Sequence, residues 1–211
     1  MSRVSFLILF TCPFSTLLAV AGCDSGSARV KQLYVDSTSA SEAAIKQHDQ
    51  DGNGTLDSTE LKSIASIGNV SDQYDTDRDG QVSASEIRSR IDKWQAMKVA
   101  MVSCGFVVKL DGKPLPEAKV RLEPEPFLAE SLRPCLGVTD SRGRVTPSQE
   151  EASMGNPSDG LTGVPPGLYR ISIMHPKLEK LRQYHSETIL GLQIAPDDPS
   201  LMNLELKLES R

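Results

Sequence analysis

Two twelve-residue stretches carry the same pattern of oxygen-bearing side chains, and this repetition constrains the chain more than any other feature. The first is Asp49-Gln50-Asp51-Gly52-Asn53-Gly54-Thr55-Leu56-Asp57-Ser58-Thr59-Glu60. The second is Asp75-Thr76-Asp77-Arg78-Asp79-Gly80-Gln81-Val82-Ser83-Ala84-Ser85-Glu86. Positions one, three and five hold Asp49, Asp51 and Asn53, then Asp75, Asp77 and Asp79. Position six is Gly54 or Gly80, where a sharp turn needs a backbone that only glycine adopts cheaply. Position seven, Thr55 or Gln81, lends a main-chain carbonyl; position nine, Asp57 or Ser83, acts directly or through water. Position twelve, Glu60 or Glu86, offers both carboxylate oxygens from the start of the next helix. A hard cation that takes six to eight oxygens at roughly 2.3–2.6 Å needs donors of this kind at this spacing. Without a cation the carboxylates repel one another, and a bound ion removes that cost.

This is the EF-hand loop pattern, complete in both copies, and it implies two calcium ions. The apolar residues at position eight, Leu56 and Val82, are expected to meet in a short strand contact between the loops. The flanks read as helices. Ser41 to Lys46 enters the first loop, with Ser39 or Ser41 as N-cap. Leu61, Ile64 and Ile67 mark an apolar face after the first loop; Ile87, Ile91 and Trp94 mark the last helix, running to about Met97. Only residues 61–74 separate the loops. This compactness resembles the paired loops of dockerins, although both loops here end in Glu where dockerin loops generally end in Asp. An abbreviated EF-hand pair over 42–97 is the expectation.

Residues 1–22 read as a signal peptide: Arg3 at the start, an apolar run from Phe6 to Leu18, and the small residues Ala19-Val20-Ala21-Gly22. The run is short for a membrane span, and Pro13 weakens it as a helix. Val20-Ala21-Gly22-Cys23 resembles a bacterial lipobox, which implies cleavage before Cys23 and lipid attachment to it. Ordinary cleavage, giving a freely secreted protein, is the alternative. Residues 24–41, with the small polar runs Asp24 to Ser27 and Ser37 to Ser41, read with Cys23 as a lipidated N-terminus and flexible tether.

From about Val99 the helical period gives way to alternation. Val102, Cys104, Phe106 and Val108 alternate with Ser103, Gly105 and Val107; Ala118, Val120 and Leu122 follow, then Leu168 to Met174, Ile189 to Ile194 and Leu201 to Leu208. Short alternating runs split by Pro and Gly turns, such as Asp111-Gly112-Lys113-Pro114, predict a β-sandwich over 99–211. The fold class expected is therefore multidomain α plus β: a small helical EF-hand pair followed by an all-β sandwich.

Leu110 to Val120, Thr139 to Arg144 and Val164 to Ile171 resemble the turns and core positions of carboxypeptidase-regulatory-like domains. The resemblance implies a transthyretin-like (Ig-like) sandwich over roughly 100–210. It also implies a non-catalytic role, supporting a neighbouring domain or binding at a surface. Residues 147–163 form a polar loop without an assignment.

Once the leader is removed, Cys104 and Cys135 form an even pair, and an oxidising compartment predicts a disulfide between them. Two buried free thiols are the alternative. A bridge would close a loop worth on the order of 3 kcal/mol.

The net charge of -5 gives no nucleic-acid footprint. His48, His175 and His185 do not pair at metal-ligand spacing. There is no Gly-x-Ser-x-Gly elbow, phosphate-cradling glycine loop or metalloprotease helix motif. The sequence thus predicts a calcium-binding lipoprotein of the cell envelope that anchors to a membrane, is not an enzyme, and serves as a binding or scaffold module with mainly structural calcium. The alternatives are a calcium-dependent docking module that holds an envelope protein, and an accessory subunit of a secreted hydrolase.

Overall fold

The structure is a computed structural model that describes residues 32–149, 163–202 and 204–210. Cys23, the leader and the N-terminal part of the expected tether lie outside the described residues, as does most of the unassigned loop.

The helical part opens with α1 (Ser37–His48). Its N-cap is Asp36, whose carboxylate accepts the N–H groups of Thr38 and Ser39, both at 3.1 Å. That cap draws Ser37 to Ser41 into the helix, so this part of the expected tether is ordered, and the start lies before Ser39 and Ser41. Ala40, Ser41 and Ala44 face inward. After the first loop a 3-10 turn (Glu60–Ser63) leads to the single-turn helix α2 (Ala65–Gly68). The expected exit helix is thus broken at Ile64, although Leu61, Ile64 and Ile67 are all buried as the pattern required. The last helix, α3 (Ala84–Ala96), buries Ile87, Ile91 and Trp94 and packs along α1. A capping box starts it: Ser83 accepts the Glu86 N–H while Glu86 accepts that of Ser83.

The β-rich part holds two sheets. One is fully antiparallel, in the order β10 (Gly191–Ile194), β9 (Gly167–Met174), β5 (Lys119–Pro124), β6 (Cys135–Val138), β8 (Ser148–Gln149). The other is built on β3 (Phe106–Leu110), flanked by β11 (Glu205–Leu208) in parallel, and by β4 (Lys113–Pro114) and β7 (Arg144–Val145) in antiparallel pairing. Alternation works as the sequence suggested. Tyr169, Ile171 and Ile173 of β9, Val120 and Leu122 of β5, and Phe106 and Val108 of β3 are buried.

Leu168 and Gln193 break the rule. They pair across β9 and β10 on the opposite face of the sheet, yet both are buried. The helical part covers them. Loop, helix and sheet residues therefore belong to one continuous buried cluster, so the helical part and the β-rich part share a core.

Cys104 and Cys135 are two buried free thiols, where the sequence led to a bridge. Cys104 precedes β3 and Cys135 opens β6, in the row of Leu122 and Ile171. Burial pushes the Cys104 thiol up to about 11. Burial, aided by Cys104, takes Cys135 to about 12. Neither supplies the thiolate that exchange or oxidation requires, and both pack as small apolar side chains. Iodoacetamide should leave both untouched in the native protein and label both after denaturation without reductant; mass mapping of the two peptides decides it.

A buried polar contact joins the parts. Ser66 of α2 donates to Glu125 at 2.7 Å, and Arg170 lies 3.8 Å from the same carboxylate. Burial pushes the Glu125 carboxyl up, against the opposing Ser66 hydrogen bond and Arg170 charge. With its folded value above the ordinary 4.5, ionising Glu125 lowers stability as pH rises beyond that value. Glu125→Gln should therefore gain on the wild type between pH 4 and pH 7; a melting-temperature difference independent of pH would refute this.

Candidate calcium-binding loops

Each loop is wound by its own side chains. In the first, Asp49 accepts the N–H groups of Gly52 at 2.7 Å and Gly54 at 2.8 Å. In the second, Asp75 accepts those of Asp79 at 3.1 Å and Gly80 at 2.9 Å. Asp51 accepts from Asn53, and Asp77 from Asp79, as short turns. Position six takes the left-handed conformation in both loops, φ 86° at Gly54 and 85° at Gly80. A Cβ at either would meet no atom within 4 Å, so the demand for glycine is conformational.

The terminal glutamates fold back over their loops. Glu60 accepts from the N–H groups of Gln50 at 2.6 Å and Asp57 at 3.0 Å. Glu86 accepts from those of Thr76 at 2.7 Å and Ser83 at 2.8 Å. These bonds seat position twelve over position one. The carboxylate oxygens of Asp49, Asp51 and Glu60 lie within 4.8 Å of one another, and so do those of Asp75, Asp77 and Glu86. The Gly54 N–H bond, first among several, holds Asp49 below the usual carboxylate range. Burial would raise Glu86, but the N–H groups of Ser83 and Thr76 outweigh it and hold it low. The donor set is all oxygen, which fits calcium and suits softer metals poorly.

Other sequence-predicted positions have local roles here. Asn53 accepts the Thr55 N–H at 2.8 Å, and Asp79 the Gln81 N–H at 2.8 Å. Asp57 accepts the N–H groups of Thr59 and Glu60 at 2.7 and 2.9 Å, and Ser83 caps α3. The two loops join back to back through β1 (Thr55–Leu56) and β2 (Val82–Ser83). Leu56 pairs with Val82 as position eight required, and Thr55 donates its hydroxyl to the Gln81 side chain.

His48, just before the first loop, is half-buried. Its Nδ1 contacts Ser63 Oγ at 2.9 Å, and its ring stands edge-on to Phe127 at 6.3 Å. His175 accepts the Lys177 N–H at 3.1 Å, and His185 contacts the Glu179 carbonyl at 3.3 Å. The structure brings none of the three histidines into a loop cluster.

Residues 42–65 and 72–91 match the family model described as EF hand. No curated protein and no solved structure gives a significant match to the chain. Both matched segments lie in the N-terminal half and contain the two acidic loops. Their match and the two acidic clusters point to calcium binding.

Proposed function

We propose that this is a calcium-stabilised, non-catalytic binding or scaffold module of the cell envelope, exported and held to a membrane by lipid on Cys23. The observation that carries the calcium part is the pair of wound, oxygen-only clusters set back to back by β1 and β2. In this reading each loop holds one ion. Asp49, Asp51, Asn53, Asp57 and Glu60, with the Thr55 carbonyl, serve the first. Asp75, Asp77, Asp79, Ser83 and Glu86, with the Gln81 carbonyl, serve the second. The metal supplies charge that the clustered carboxylates otherwise lack. Extracellular EF-hand modules bind at about 10⁻⁴ to 10⁻³ M, where calcium is steady, so the ion acts as part of the fold.

The anchor rests on Val20-Ala21-Gly22-Cys23 and on lipid chemistry, since each buried methylene adds about 0.8 kcal/mol and stable attachment takes more than one chain. The β-rich part reads as a transthyretin-like sandwich; its turn motifs and two sheets support this. The absence of catalysis is supported by the loop carboxylates and histidines already having structural partners.

Calorimetric titration of the full chain should find two calcium ions bound in the range above. Metabolic labelling with a radioactive fatty acid should mark the wild type and fail with Cys23→Ala. Zero bound calcium would overturn the first half of the reading, and labelling that survives Cys23→Ala the second.

A further inference from the structure

The two stems of the second loop are both gripped by Gln193 of the β-rich part, and Asp197 holds the outgoing one. Gln73 and Tyr74 lead directly into Asp75, and Arg90 lies one helical turn beyond Glu86. Tyr74, fully buried, donates its hydroxyl to Gln193 Oε1 at 2.9 Å. Arg90 donates to the same oxygen at 3.2 Å. Arg90 also holds Asp197 at 2.8 and 3.1 Å and Gln73 at 2.7 Å, while Gln193 donates to Gln73 at 2.8 Å. Lys93 closes on Asp197 at 2.7 Å. Gln193 and Arg90 are both buried, and the Arg90 guanidinium lies 5.7 Å from the centre of the Trp94 ring.

We infer that Gln193 and Asp197 are positioning residues for the second calcium loop: through Tyr74, Gln73 and Arg90 they fix the distance between its two stems. An EF-hand ligand set is split between those stems, with position one on the incoming side and position twelve on the outgoing helix. A site whose halves are held in place before the ion arrives binds more tightly than one that must be assembled, because less ordering remains to be done. In this chain the brace is a β-strand more than a hundred residues downstream. The first loop is held differently. Its stems touch each other directly, His48 against Ser63 at 2.9 Å, and its flanks meet the β-rich part through His48 against Phe127 and through Ser66 and Glu125, with no side chain of the β-rich part bonded to both stems among the described contacts. By linkage, the same coupling makes calcium at the second loop tighten the grip on β10.

This rests on the calcium reading above, and the test separates the two. Each loop is isolated in the full chain by disabling the other: Glu60→Gln leaves the second, Glu86→Gln the first. Calorimetry with calcium alone then gives each affinity with and without Gln193→Ala, which changes no charge. The milder Tyr74→Phe removes only the hydroxyl donor and guards against a folding defect. Asp92→Asn, on the exposed side of α3, controls for the charge change in Asp197→Asn. The expected result is a fall of about 5- to 10-fold at the second loop for Gln193→Ala, Tyr74→Phe and Asp197→Asn, and less than 2-fold at the first. Asp92→Asn should fall short of Asp197→Asn. An unchanged second loop, or an equal fall at both, overturns the brace. If the unsubstituted chain binds no calcium, the calcium reading fails, and the brace with it.

Discussion

Replacing both terminal glutamates, Glu60→Gln with Glu86→Gln, removes most of the response of the melting temperature to calcium. A ligand present at a hundred times its dissociation constant stabilises the folded chain by about 2.7 kcal/mol per site. Two sites then contribute about 5 kcal/mol, and each kcal/mol moves the midpoint of a chain this size by roughly 2–4 °C. The wild type should therefore melt roughly 10–20 °C higher in saturating calcium than in chelator. In the double variant one oxygen of each bidentate pair is lost along with its charge, and the rise should shrink to about 3 °C or less. The chelated proteins should differ little, because a Gln oxygen still accepts one of the loop N–H bonds that Glu60 and Glu86 take now. Scanning calorimetry of both proteins in both conditions checks this, and a calcium-induced rise that persists in the double variant refutes the ligand assignment.

Gly191→Ala lowers the melting temperature with or without calcium. A Cβ at Gly191 would stand 2.2 Å from the Ser66 nitrogen and 2.5 Å from the Ala65 carbonyl carbon. Both are backbone atoms of α2, so no side-chain rotation relieves the clash, and α2 must move off β10. That movement also strains the 3.1 Å bond from Asn69 to the Gly191 carbonyl and the 2.7 Å bond from Ser66 to Glu125. Overpacking of this kind costs about 1–3 kcal/mol, and the upper half of that range corresponds to roughly 4–12 °C here. Thermal unfolding reads it directly. A variant that melts with the wild type would mean the EF-hand pair does not rest on the sheet, and the shared core would be wrong.

The two acidic loops were legible because everything that builds them lies within twelve residues. Asp49 bonds Gly54 and Glu60 bonds Gln50, so the order of residue types alone determines the acidic cluster. The alternating strands were legible for a similar reason, since their period declares which residues turn inward: Val120, Leu122, Ile171 and Ile173 did. Local reading failed where one distant or overlooked partner outweighs composition. Ser37 to Ser41 looked like a tether because small polar residues bury little, yet Asp36 caps them into a helix that α3 then covers. Cys104 and Cys135 looked like a bridge on parity, whereas only the packing around Tyr169, Leu122 and Ile171 shows two buried thiols.

Residue order was enough to give the two acidic loops, their back-to-back pairing through Leu56 and Val82, and the change from helices to strands near Val99. These follow from contacts between near neighbours, where chain connectivity supplies the proximity. Long-range packing is what covers the outer face of the sheet at Leu168 and Gln193 with the helical part. It alone joined Arg90 to Asp197 and Tyr74 to Gln193. Those partners are separated by 107 and 119 residues, and bringing them together depends on the packing of the whole core rather than on any local pattern.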